Sequence, residues 1–481
     1  MHARPLARRV AAVSLAGAGL VLLACATNPA TGSRELMLVS ESQEISLGQQ
    51  TFQASVATYG LVPDSALQAW VAGIGLRMAA VSERPQLPWA FGVLDDPVIN
   101  AFAAPGGFVM VTRGLLTHMN SEAELASVLG HEIGHVTARH SAQAITRQQL
   151  ATVGLVGAAI VKPELGGVLQ AAQQGLGLLF LKFGRDQESQ SDMLGFRYMM
   201  RTQYDPREAD DVFETLARVT EAAGGSRLPT WASSHPAPED RVVRARARLD
   251  TVTADLSRFT VNRDGYLRRI DGLVFGENPR NGYFEGDRFY HPDMAFQLDF
   301  PRGWQHQNSA AAVLAAPQKG DAVIQLTLAK GTPQEAARAF FSQEGVQGQA
   351  RATTVNGLTA AGGDFRVQTQ EGVLAGSVMF LAHKGQTFRV AAYGGAAAAA
   401  AYADAFHATL RSFRPVTDPK VLGARPNRLV LQRAPAQMTL EEFNRRYPSV
   451  IGLPELALIN GMEGGASVIS AGETVKRVVN R

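Results

Sequence analysis

Apolar positions recur with helical spacing through much of the first half of the chain. Ile45, Leu47, Phe52 and Val56 follow that spacing, and Ser40 with Gln43 forms the cap pattern of a helix starting near Glu41. The same signals predict helices over 64–80, 113–117, 122–140, 187–200 and 240–249, with another from Asp205-Pro206 through Phe213 and Leu216. Residues 89–94 read as a strand. Residues 100–112 begin as a turn-rich run and end as a second strand. Beyond residue 290 the period shortens to two. Phe296, Leu298 and Phe300 alternate with Gln297 and Asp299. Strands follow over 322–329, 362–369, 373–382 and 386–393, with a capped helix at Thr332-Pro333-Gln334-Glu335 and another over 397–411.

These elements predict an α+β multidomain chain. A leader (1–24) precedes a mainly helical domain with a small sheet (25–255). A turn-rich connector (256–290) leads to an α+β domain with an antiparallel sheet (291–415). A linker (416–435) carrying a basic strand, 428–433, precedes a compact tail (436–481). In the tail Thr439 and Glu442 form a capping box, 454–460 is helical and 474–479 is a strand.

Composition narrows the choices. With 46% apolar and 19% charged residues, wholesale disorder is excluded, and a single cysteine excludes a disulfide scaffold. The net charge of +3 comes from Arg4, Arg8 and Arg9; without them basic and acidic residues stand at 43 each. The basic balance therefore gives no reason to expect a nucleic-acid partner.

Residues 10–24 carry no charge, and as a helix they would rise about 22 Å, short of a hydrocarbon core of about 30 Å. A secretory signal fits that length. The ending Leu22-Leu23-Ala24-Cys25 resembles a bacterial lipobox, which implies acylation of Cys25 (a palmitate-bearing lipoprotein). Ala26 after the cysteine favours the outer membrane over the inner one. A second weakly charged stretch, 152–181, either packs against the helices on its two sides or covers the rim between them, or dips into a membrane as a hairpin.

The chemistry concentrates in His131-Glu132-Ile133-Gly134-His135. Two histidines four apart share one helix face, so both rings reach one metal ion, while Glu132 stands one step round, able to take a proton from water. A zinc centre needs a third protein ligand and an open position for water. Glu188 and Asp192, again four apart, supply a ligand and an acceptor for a histidine ring N–H. His140 lies about 140° round a continuous helix from His135, which makes it a surface or packing residue.

The chain resembles the M48 metallopeptidases in their periplasmic lipoprotein branch, through several segments. These are Asn28-Pro29-Ala30-Thr31-Gly32, Asn100-Ala101-Phe102, Pro105-Gly106-Gly107, the run from Glu124 to His135, Glu188 with Asp192 and Gly195, and His235-Pro236 with Arg241. Ser191 stands where alanine is commoner. The resemblance implies a gluzincin-like fold, Zn2+ held by His131, His135 and Glu188, and Glu132 as general base. His235 and Arg241 are candidates to stabilise the reacting carbonyl oxygen, with two alternatives open. His235 could instead fill the open metal position, and Arg241 could serve a salt bridge. Phe108, Val109, Met110, Val111 and Thr112 resemble the family's edge strand, on which an extended substrate adds.

The 291–415 domain resembles the PsbP and Mog1 type, a likeness that carries no site. The tail resembles a LysM-type module through Thr439-Leu440, Phe443, Arg446-Tyr447, Leu456, Asn460, Gly472 and Val475, although Ala436-Gln437-Met438 replaces the usual Gly-Asp. It implies a glycan partner, peptidoglycan. The expected function is a periplasmic, lipid-anchored zinc endopeptidase acting on unfolded or misassembled envelope proteins. The alternative is a latent or non-catalytic envelope scaffold, chaperone or peptidoglycan-binding lipoprotein.

Overall fold

The computed structural model describes residues 25–156, 178, 181, 183–222, 235, 238–369 and 372–481. The expected leader, most of the weakly charged stretch 152–181 and most of the polar loop 225–240 lie outside these residues.

A short hairpin, Cys25–Thr27 with Arg34–Leu36, precedes helix α1, Glu41–Tyr59. The capping box forms: Gln43 N–H donates to Ser40 Oγ at 3.3 Å, and Ser40 N–H donates to Gln43 Oε1 at 2.9 Å. Helix α2, Ser65–Ala79, starts on Asp64, which accepts from the N–H groups of Ala66 and Leu67.

The small sheet has three strands: β1 Ala90–Leu94, β2 Ala101–Ala104 and β3 Phe108–Thr112. Their order is β1-β3-β2, with β3 parallel to β1 and antiparallel to β2. This corrects the expectation that 108–112 is an edge strand. Gly106 and Gly107, at φ 78° and 107°, reverse the chain at once, so residues 101–104 fold back as the edge.

Helix α3, Arg113–His118, leads to α4, Glu122–Thr137, whose cap Ser121 accepts from Glu124 N–H at 3.0 Å. The helix expected to run to 140 breaks earlier. Arg139 adopts φ 59°, and α5, His140–Val156, starts anew. Helices α6 (Arg185–Thr202), α7 (Glu208–Ala222) and α8 (Pro238–Leu249) follow. Glycines let α4 and α6 touch backbone to backbone. A Cβ on Gly195 would sit 2.9 Å from His131 N, and one on Gly134 would sit 3.0 Å from Ser191 Cα. The core between these elements holds Ile74, Met78, Leu125, Leu129, Leu194 and Tyr198.

Residues 256–290, expected as a connector, are built into two packed units. Helix α9, Arg263–Ile270, buries Tyr266, Leu267 and Ile270 in the first core. Strand β4, Val274–Phe275, follows; then Tyr283–Glu285 and Arg288–His291 join Phe296–Asp299 and Arg414–Pro415 in one antiparallel sheet. The neighbouring eight-stranded sheet is antiparallel too. Its long strands run in the order Ala322–Ala329, Gln386–Gly395, Gly372–His383, Leu358–Thr369, and helices Pro333–Phe341 and Ala403–Ser412 pack against it.

The tail contributes β5 (Asn427–Arg433), α10 (Leu440–Arg446), α11 (Leu453–Ile459) and β6 (Thr474–Asn480). Strand β5 lies between β4 and β6, so part of the expected linker is a central strand. Leu429, Phe443, Leu456, Val475 and Val478 join the same core as the helical domain, and α11 packs on α3 and α7. Among the described residues, no helix is long and apolar enough to cross a membrane.

Candidate metal centre

Four side chains from three stretches of chain meet at one point. His131, His135, Glu188 and His235 are all buried, and each offers a ligand atom within 4.8 Å of the others. His131 Nε2 and His135 Nε2 lie 3.0 Å apart, and Glu188 reaches them at 3.6 and 3.4 Å. His235 Nδ1 lies 2.9 and 3.0 Å from the two Glu188 oxygens and 3.4 Å from His131 Nε2. Glu132 is buried beside them, its Oε1 3.8 Å from His235 Nε2.

The hydrogen bonds behind the rings settle the tautomers. His131 Nδ1 is 2.9 Å from Asp192 Oδ1, an acceptor, so the ring proton sits on Nδ1. His135 Nδ1 is 2.9 Å from His140 Nδ1, and His140 Nε2 is 2.9 Å from Gln190 Oε1. Both Nε2 atoms therefore present lone pairs to each other and to a carboxylate. Two imidazole nitrogens and a carboxylate converging in a buried site form a donor set that suits zinc.

Arg241 is fully engaged behind this cluster. Its Nη2 and Nε reach the Asp192 carboxylate at 2.6 and 3.1 Å, its Nη1 is 3.7 Å from Glu188, and its guanidinium lies over Phe213. Burial pushes the Asp192 carboxyl up, but Arg241 and His131 outweigh it and hold it below the usual carboxylate range. Burial likewise opposes ionisation of Glu188, yet the charge and hydrogen bonding of His235 outweigh it and keep the carboxylate ionised. Burial lowers His135 to about 4, a neutral ring fit to be a ligand.

The sequence-predicted residues His131, Glu132, His135, Glu188, Asp192, His235 and Arg241 thus come together. Strand β3 does not border them as expected; Asn100 and Ala101, at the start of edge strand β2, line the cavity with His131 and Glu132. That cavity, about 60 Å³, has apolar walls including Val128, Met199, Val212 and Phe213. Two residues escaped the sequence reading: Gln190, 2.9 Å from His140 Nε2, and Phe183, whose ring stacks on His135 with centroids 4.2 Å apart. His140, expected at the surface or in packing, is wholly buried against His135. The helix break at Arg139 voids the angular estimate that set it aside.

A histidine pair one helical turn apart, a carboxylate from a second helix and a separate glutamate beside them have the donor pattern of a metallopeptidase centre. Residues 65–249 match the model of peptidase family M48, so this part of the chain is similar to those metallopeptidases. The chain is 30% identical over 267 residues to the Beta-barrel assembly-enhancing protease of Escherichia coli (strain K12), covering 53% of each chain. It is 37% identical over 164 residues to the mitochondrial metalloendopeptidase OMA1 of Arabidopsis thaliana, covering 34% of this chain and 32% of that one. The chain thus spans about half or less of the length of these relatives. The solution structure of cyanobacterial PsbP from Synechocystis sp. PCC 6803 aligns with 27% of this chain and 91% of its own. Its identity is 15% and its TM-score 0.23, a likeness that carries no argument.

Proposed function

We propose that the protein is a zinc-dependent endopeptidase that hydrolyses peptide bonds in unfolded or misassembled envelope proteins. The observation that carries this reading is the convergence of two imidazole lone pairs and the Glu188 carboxylate beside the separate carboxylate of Glu132. In this reading His131, His135 and Glu188 hold the zinc, and Asp192 orients His131. Zinc, when bound, lowers the pKa of water and polarises a carbonyl. Glu132 takes the proton from the attacking water and returns it to the leaving amine.

An extended substrate adds to the edge of β2. Thr112 N–H donates to Asn100 O at 3.0 Å. The alternation of an antiparallel ladder then turns the backbone groups of Ala103 away from β3, toward the unpaired edge. Among the described residues no strand pairs with that edge.

His235 gives the site a second state. Its Nδ1 lies among the donors that would hold the metal, so in this reading His235 would hold the enzyme latent by taking the place a water needs. Arg241, committed to Asp192, serves the ion pair rather than the reacting carbonyl. The latent reading keeps a scaffold or chaperone role as the alternative.

The Escherichia coli relative is named for β-barrel assembly, which supports an envelope substrate and a periplasmic setting. Acylation of Cys25 would anchor the chain to the outer membrane close to the catalytic unit. Only three residues on, Asn28 donates to Ala138 O at 3.1 Å, at the end of α4. The tail retains its proposed affinity for peptidoglycan as a separate reading.

The test uses residues 25–481 purified from the cell envelope. Metal analysis should find one zinc, and casein cleavage should stop with a chelator and in Glu132→Gln, which keeps its zinc. Undiminished cleavage in Glu132→Gln would defeat the base assignment, and a chain without zinc would defeat the reading.

A further inference from the structure

We infer that His140 is a positioning residue that fixes the tautomer and aim of His135, and that Gln190 fixes His140 in turn. The inference rests on the zinc reading of the site.

His135 has two ring nitrogens and can offer only one to a metal. Its Nε2 faces His131 Nε2 at 3.0 Å and Glu188 Oε1 at 3.4 Å. Its Nδ1 faces His140 Nδ1 at 2.9 Å, and a single proton fits between them. Gln190 decides who owns it. His140 Nε2 lies 2.9 Å from Gln190 Oε1, an amide oxygen that only accepts. A neutral His140 therefore carries its proton on Nε2 and offers a lone pair at Nδ1. His135 must then carry its proton on Nδ1, which leaves the Nε2 lone pair for the metal.

The relay is locked in place. His140 is wholly buried, Ser191 Oγ stands 3.4 Å from its Nδ1, and Phe183 stacks on the His135 ring. The local backbone makes the arrangement: the left-handed Arg139 ends α4 and restarts the helix at His140.

The two histidines are thus oriented by different chemistry. His131 leans on a carboxylate that Arg241 neutralises, and His135 leans on an uncharged imidazole and amide. The pairing adds no charge to the site while setting both rings.

The test is zinc affinity of the full chain by chelator competition, with the visible spectrum of the cobalt-substituted protein. His140→Leu should lower affinity about 10–100-fold and alter the cobalt spectrum. His140→Asn, which keeps an acceptor near the Nδ1 position, should stay within about threefold of the parent. Gln190→Leu should fall between them. Parent-like affinity and spectrum in folded His140→Leu would overturn the inference, as would an equal loss in His140→Asn. If His140→Leu does not fold, Gln190→Leu decides, and parent-like affinity there overturns it. A parent chain that binds no zinc overturns the zinc reading itself, a separate and distinguishable result.

Discussion

The Nζ of Lys476 donates to the carbonyl oxygen of Met119 at 2.8 Å across 357 residues of chain, and to that of Thr117 at 3.0 Å. Lys476 is wholly buried. Burial drives its pKa well below the usual lysine range, against the opposing charge of Glu124. The side chain binds the tail to the carbonyls that end α3, one turn of chain before α4, the helix of His131 and His135, begins.

Lys476→Met keeps the aliphatic stem and removes both donations. It should destabilise the chain by about 2–4 kcal/mol, because two buried carbonyls lose their partner. The urea midpoint of the folded chain measures this. An unchanged midpoint would mean that the tail is not held by this contact.

His118 gives the interface a pH dependence. Burial, assisted by Lys476, lowers its pKa from 6.5 to about 4 against the hydrogen bond to Gly114. The unfolded chain takes up this proton first as pH falls. Stability from the neutral ring is complete above pH 6.5 and is lost between 6.5 and about 4, by up to about 3 kcal/mol. In His118→Asn the difference in urea stability between pH 7 and pH 4.5 should shrink by about 2.5 kcal/mol in metal-free protein. An identical difference in parent and variant would contradict the assignment.

His235→Ala should raise casein cleavage. Removing a fourth donor opens the position that water needs, and relief of about 1.4 kcal/mol of competition already gives about tenfold. Initial rates at equal zinc content check it. A rate that falls instead would assign His235 to the reacting carbonyl and not to the latch.

Arg241→Ala leaves the Asp192 carboxylate buried without its cation. A stability loss of about 3–5 kcal/mol is expected, together with weaker zinc binding through His131. A variant of parent stability and zinc affinity, slowed only in kcat, would instead place the guanidinium on the transition state.

Local signals were legible in the residues; long-range pairings were not. The capping boxes at Ser40 and Thr439 and the histidine spacing at 131 and 135 depend on neighbours three or four residues away. Glu188 and Asp192 could be placed because their own spacing sets them on one helix face. Strand β3 was misjudged because an edge is defined by what pairs beside it, and the fold-back of 101–104 adds β2 there. His140 was discounted by assuming an unbroken helix, and one left-handed residue, Arg139, re-aims it. The connector at 256–290 looked empty because Tyr266 and Ile270 find their core partners far along the chain.

Strand β5 touches β4 on one side and β6 on the other, so a unit opened by residues 41–59 is finished by residues 474–480. Synthesis delivers the whole intervening sheet domain before that last strand exists. A polypeptide still emerging, or clipped short of Lys476, has no donor for Thr117 and Met119 and an incomplete wall behind the helix that carries His131 and His135.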